Sequence, residues 1–211
     1  MAGRAGNGAG NRVIGIMTRD RIIYSARQVF SEVGYDATTF QTIADRAGLT
    51  RPAINYYFCD KRTLYREIVE STTAMVVSAA VRTASKAPTL SSQLSTFIDA
   101  IIRASTEDRS IAAFLTTSLL ESQRHHDWRE DEDHALAAIR GFLAFSVHAA
   151  IERGELAPET DPSALIEMLL AMVWGLGFYA GFLDNGNEVA GVTEELRRLL
   201  PGQLGALPGT S

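Results

Sequence analysis

Apolar residues recur at three- and four-residue spacing along almost the whole chain, and proline- or glycine-bounded runs with strand-like alternation are few. The pattern predicts an all-α protein of about nine helices. A first helix is expected from about Thr18 to Val33, with Ile22, Ala26, Val29, Phe30 and Val33 on one face and Gly34 placed to end it. In DATTFQTIADRAG, Thr39 is a good N-cap, Ile43, Ala44 and Ala47 form a short apolar face, and Gly48 stops the helix after two turns. Thr50 caps the next short helix, and Pro52 sits in its first turn, where a missing N–H costs nothing. Asp60 caps a much longer fourth helix carrying Leu64, Ile68, Val69, Met75 and Val76, which ends near Ala87-Pro88. Further helices are expected at about 89–106, 109–122, 128–153, 161–184 and 188–200.

Composition agrees with a folded chain: 211 residues, 46% apolar and 21% charged. A single cysteine, Cys59, excludes an intrachain disulfide and a multi-cysteine zinc site, which suits a reducing cytoplasm. The Gly/Asn-rich start lacks the apolar core of a signal peptide and reads as a disordered arm over residues 1–16. Met168 to Leu183 carries no charge, but the run is shorter than the roughly 20 residues a bilayer requires, and Glu167 and Asp184 close it. Gly177 and Gly181 within it have the GxxxG spacing of close helix packing. No membrane role is expected.

Charge changes the picture more. Residues 1–66 hold ten Lys/Arg against five Asp/Glu, so +5, while the remainder holds ten against twenty, so −10. A basic head on an acidic body suits a protein whose head alone meets a polyanion. Two two-turn helices separated by a glycine turn have the lengths and punctuation of a helix-turn-helix. In Arg51 to Phe58, Ile54 and Phe58 lie one turn apart and anchor the second helix, leaving Arg51, Pro52, Ala53, Asn55 and Tyr56 outward. Arginine pairs with guanine, asparagine with adenine, and apolar groups meet thymine methyls. Thr39, Thr42, Tyr57 and Lys61 are placed where hydroxyls, capped helix starts and an ammonium hold phosphates. Gln41 and Thr50 complete the candidate DNA-binding set.

The run Thr38 to Tyr65, TTFQTIADRAGLTRPAINYYFCDKRTLY, resembles the DNA-binding signature of the tetracycline-repressor (TetR) family at Thr39, Ile43, Ala44, Ala47, Gly48, Ile54, Tyr57, Phe58, Lys61 and Leu64. It departs at Asn55, where tyrosine is common, and at Cys59, whose cationic neighbours Lys61 and Arg62 suit either a reactive thiol or an inert turn residue. The resemblance implies a helix-turn-helix domain over 17–62, a helical ligand-binding and dimerisation domain over 63–202, and a flexible tail over 203–211. It also implies a homodimer on a palindromic operator in duplex DNA, repression relieved by a small molecule, and a bacterial cytoplasmic location. No catalytic residue, metal or cofactor is expected.

The chain has its own reason to self-associate, because helix 161–184 is apolar on nearly every side. Met168, Met172, Gly177, Gly181, Phe182, Leu196, Leu199 and Leu200 are the candidate dimer residues. The candidate lining of an effector cavity is Phe97, Ile101, Phe114, Leu115, Trp128, Phe142, Phe145, Trp174 and Phe178, which would suit a largely apolar ligand. In HHDWREDEDH, His126, Glu130 and His134 share a helical face, a spacing open to a divalent cation and a helical metalloenzyme. A solvated acidic helix start explains the same run. A ligand-independent regulator or an activator is the other alternative.

Overall fold

A computed structural model of the chain describes residues 7–125, 128, 134–184 and 188–204. Every regular element among them is helical. The chain divides into two compact units, Met1–Ile68 and Val69–Ser211, and it passes from one to the other within a helix. That boundary lies six residues beyond the expected 62, because the fourth helix contributes Leu64, Tyr65 and Ile68 to the first core.

Unit 1 contains α1 (Asn7–Ala37), α2 (Phe40–Ala47), α3 (Arg51–Tyr57) and the start of α4 (Lys61–Thr72). Helix α1 begins at Asn7, inside the stretch read as a disordered arm, and no proline interrupts it. Gly34 is a kink, with φ of 79°, followed by one more turn. Ile22, Ala26, Phe30, Ile43, Ala44, Ile54, Phe58 and Leu64 are buried together as their spacing predicts. Tyr65 sets its ring edge-on to Phe30 at 4.9 Å and to Tyr35 at 5.1 Å, adding aromatic contacts to that core.

In unit 2, a π-helical turn (Thr73–Val77) joins the end of α4 to α5 (Ser78–Ala84). Then come α6 (Leu90–Glu107), α7 (Arg109–Arg124), α8 (His134–Glu152), α9 (Pro162–Phe178) with a terminal π turn (Tyr179–Leu183), and α10 (Glu188–Leu204). Local chemistry explains several starts. Thr89 and Ser92 form a capping box on α6, Asp108 caps α7, and Asp161 caps α9 just ahead of Pro162. The core joins α6, α7, α8 and α9, with Phe97 stacked on Phe142 at 5.1 Å. Glu155 binds the Leu90 amide at 2.7 Å and Arg153 at 2.5 Å.

Gly177 and Gly181, expected at a subunit interface, face α7 of their own chain. A Cβ on Gly181 would stand 2.7 Å from the backbone nitrogen of Ala113, so the two backbones touch and no partner helix fits between them. The Gly181 carbonyl accepts a hydrogen bond from Arg109 Nε at 3.0 Å. The GxxxG spacing therefore serves close packing within one protomer. Two described helical stretches, Ala135–Glu152 and Pro162–Leu183, are long and apolar enough to cross a membrane by length and composition.

Candidate functional site

Short-range hydrogen bonds build the helix-turn-helix. The Thr39 hydroxyl accepts from the Thr42 amide at 3.1 Å, and the Thr42 hydroxyl accepts from the Thr39 amide at 3.1 Å. That reciprocal box starts α2. Gly48 ends it in the left-handed region, with φ of 61°, and the Leu49 amide returns to the Ala44 carbonyl at 2.9 Å. Thr50 then caps α3 by accepting from Ala53 N at 3.4 Å. Ile43, Ala44 and Ala47 below, with Ile54 and Phe58 above, are all buried, so the angle between the helices is set by apolar contact.

The outer flank of α3 is open. Arg51, Pro52 and Asn55 are exposed, and Tyr56 is 83% exposed, while Ala53 and Tyr57 are half-buried. Thr39, Gln41, Thr42 and Thr50 are exposed beside them. Gln41 Nε2 donates to Asp45 at 2.8 Å, which holds its amide along α2. Tyr56 and Tyr57 meet edge to face at 5.1 Å, and the Tyr57 hydroxyl lies 3.8 Å from where a Cβ on Gly15 would stand.

Lys61 does not fit the phosphate role expected from its position. Its ammonium donates to the carbonyls of Tyr35, Asp36 and Thr38, at 2.7, 3.3 and 3.0 Å, and lies 4.2 Å from the Tyr35 ring centroid. Three N–H bonds meet three carbonyl oxygens, so Lys61 clamps the end of α1 to the start of α4. Two arginines are also committed. Arg19 pairs with Glu67 at 2.5 Å and lies over Phe58, and Arg46 forms a fork with Glu32 at 2.6 and 2.8 Å. The Arg46 hydrogen bond holds the Glu32 carboxyl below the usual range. Near Cys59, the thiol donates to Asp60 at 3.2 Å, so an anion neighbours the sulfur and Lys61 points elsewhere. The Thr63 amide, and after it this thiol, hold Asp60 below its ordinary value.

Unit 2 holds a small, partly open apolar cavity. Of the expected lining residues, Ile101, Leu115 and Trp174 border it, and Phe97 borders a smaller neighbouring space. Phe114, Phe142 and Trp128 are buried elsewhere, with Trp128 stacked on His125 at 4.0 Å. Phe145, 61% exposed, and Phe178, 46% exposed, lie on the surface. Most of the large rings fill space, whereas, Trp174 apart, the cavity is bordered largely by small and branched residues that helical spacing does not single out, among them Ala112, Thr116, Ala135, Val173 and Gly177.

The expected dimer residues separate in the same way. Met168 and Phe182 are exposed, while Met172 and Leu196 pack against the core. The side chains of Leu199 and Leu200 lie outside the described residues. Ala164, Met168, Ala171, Gly175, Phe178 and Phe182 are all exposed at alternating four- and three-residue intervals, one stripe along α9 and its π turn. Within HHDWREDEDH, His126 and Glu130 lie outside the described residues, as does the side chain of His134. Among the described residues no cluster suits a metal ion.

Comparison with known proteins follows this division. A family model described as bacterial regulatory proteins, tetR family, matches residues 22–68. A model of the BetI-type transcriptional repressor C-terminal domain matches residues 91–205. The HTH-type transcriptional activator FasR of Mycolicibacterium smegmatis is 35% identical over 65 residues, 31% of this chain and 30% of that protein. The chain thus aligns with about 30% of the length of the curated relatives it matches. Among solved structures, the regulator FadR of Bacillus subtilis in complex with stearoyl-CoA is similar with a TM-score of 0.71 at 19% identity, covering 86% of this chain and 96% of that one. A putative regulator from Saccharomonospora viridis in complex with choline has a TM-score of 0.73 at 17% identity, covering 90% and 98%.

Proposed function

This chain belongs to the TetR family of bacterial transcriptional regulators, and from that premise we propose that it is a homodimeric repressor that leaves its operator when a small molecule occupies unit 2. The observation that carries the DNA reading is the uncovered polar flank of α3, held outward by Ile54 and Phe58. Arg51 and Asn55 offer the donors and acceptors that major-groove base edges match, and Tyr56 offers an apolar surface for a thymine methyl. Thr39, Gln41, Thr42, Thr50 and Tyr57 surround them as backbone contacts. Lys61 acts from inside, by holding the frame.

The dimer reading rests on the α9 stripe. Six exposed small or apolar residues in heptad-like register cost free energy in water, and a second copy of the same stripe covers them. Two α3 helices must then meet successive major grooves, about 34–36 Å apart. The operator is accordingly two-fold symmetric, and the protein works in the cytoplasm on DNA. Its chemistry is recognition, without catalysis.

Release follows from population shift. A ligand that binds the non-fitting dimer ~100-fold better than the DNA-fitting one weakens the operator complex by roughly 2.7 kcal/mol. The π turn after α4 brings Val77 to the cavity, which makes α4 the segment that relays occupancy. Repression is favoured by the repressor-type match over residues 91–205; the activator relative aligns over only 65 residues.

Selection of bound duplexes from random DNA by the full-length protein tests the reading. A two-fold symmetric motif is expected, and Arg51→Ala should cost about 1–3 kcal/mol on it while sparing scrambled DNA. A single asymmetric motif removes the dimer, and no enrichment at low salt removes DNA binding.

A further inference from the structure

Among the described residues, the walls of the unit-2 cavity carry no ionisable side chain. Three polar residues interrupt an otherwise apolar lining: Ser105, Thr116 and Trp174. Ser105 spends its proton locally, donating to the Ile101 carbonyl at 2.9 Å. The other two differ. Trp174 Nε1 and Thr116 Oγ1 are shut off from solvent and have no hydrogen-bond partner among the described residues. Buried polar groups are almost always paired, and one left unmet carries its full desolvation cost. Two of them bordering one cavity, on different helices, point to something that enters and meets them.

We propose that this cavity takes a neutral, mostly apolar molecule bearing one strong hydrogen-bond acceptor of the ketone or ester type. The proposal rests on the reading of unit 2 as the effector-binding part. An indole N–H can only donate, so the ligand must accept there. The Thr116 hydroxyl is a second group there that can donate. Gly177 keeps the space beside that hydroxyl open, since a Cβ there would stand 3.3 Å from Thr116 Oγ1. A charged ligand head finds no counter-charge among the described lining residues, and burying an unpaired charge is heavily penalised. A pure hydrocarbon fits the walls but leaves both polar groups unmet. The class is therefore set from both sides, by what the walls cannot neutralise and by what they still need.

Four probes of similar shape separate the possibilities: acetophenone, its hydrocarbon isostere α-methylstyrene, the anion benzoate, and the cation phenyltrimethylammonium. Binding to the full-length protein is read from the indole N–H resonances and from the melting temperature. The chain has two tryptophans, and Trp174→Phe assigns the relevant resonance by deleting it. Acetophenone should bind about three- to tenfold more tightly than α-methylstyrene, the size of one net hydrogen bond, and should move the Trp174 signal downfield. Both charged probes should bind more weakly than acetophenone. Trp174→Phe and the isosteric Thr116→Val should each reduce the ketone preference while keeping hydrocarbon binding. Equal binding of ketone and hydrocarbon, preference for a charged probe, or a preference that survives both substitutions overturns the assigned class and leaves the effector reading standing. If none of the four perturbs Trp174 or the melting temperature, the cavity is not a ligand site, and the effector reading of it falls as well.

Discussion

Along α3 the residues left outside the unit-1 core include Arg51, Asn55 and Tyr56, whereas along α9 and its π turn those left outside the unit-2 core include Met168, Phe178 and Phe182. Both helices bury one side by the same apolar spacing and leave another side bare, yet the bare sides have opposite chemistry. Water satisfies the α3 flank, so that flank gains from a partner only if the partner returns donors, acceptors and negative charge in matching positions. Water does not satisfy the α9 stripe, which gains from any close-fitting apolar surface, at about 25 cal/mol per Å² covered. Under the proposed function, the first face serves selectivity and the second cohesion. A dimeric DNA reader needs one of each.

The comparison can be broken most decisively at Phe178. Phe178→Glu should raise the dimer dissociation constant on the order of 100-fold, because it deletes an aromatic anchor and buries a charge. Sedimentation velocity at micromolar protein should show monomers; an intact dimer would mean that the stripe is not the interface.

Two glycines on the same helix sharpen the distinction between inside and outside. Gly181→Ala forces a Cβ against the Ala113 backbone and should cost the protomer about 1–3 kcal/mol in denaturant unfolding, with the dimer constant little changed. At Gly175 an added Cβ meets nothing within 4 Å, so Gly175→Leu should leave the protomer folded and loosen the dimer instead. Identical effects from the two substitutions would erase the division.

On the DNA side, Lys61→Met leaves three carbonyls without their shared donor and should destabilise the protein by about 1–3 kcal/mol. The salt dependence of operator binding should keep its slope, since no phosphate contact is lost. A slope flattened by about one unit, with stability intact, would return Lys61 to the phosphate-binding set.

The smallest effect concerns acid. Arg153, and after it burial and the Leu90 amide, act on the Glu155 carboxyl, and the net shift is downward. A carboxyl depressed on folding adds stability that is complete above its unfolded value, near pH 4.3, and is lost as pH falls through the folded value. Glu155→Gln should therefore lower the melting temperature slightly at pH 7 and by less at pH 3. An equal loss at both pH values would show that Glu155 matters through shape alone.

The head was legible in sequence because its determinants are local. Thr39, Gly48, Thr50 and Pro52 act on backbone groups within four residues, and Ile54 and Phe58 define the buried side of a two-turn helix by spacing alone. The outward set on α3 follows as the remainder. The carbonyl contacts of Lys61 are not legible in sequence, because those partners, near the end of α1, lie 23 to 26 residues away. Phe145 and Phe178 were misread as cavity lining for a related reason: helical spacing separates faces of a helix but does not say which face meets the core, the solvent or another chain.

By itself, then, the order of residues determined most of the helices, the ends of the two short ones, the helix-turn-helix and the likeness to a family of regulators, because caps, glycine stops and apolar periodicity act over one or two turns. Only the tertiary structure decided that Lys61 is a clamp, that Gly177 and Gly181 face α7, and that Trp174 and Thr116 border one cavity with their polar atoms unmet. Those facts depend on which distant segments share a space, and that is settled by packing the whole core at once.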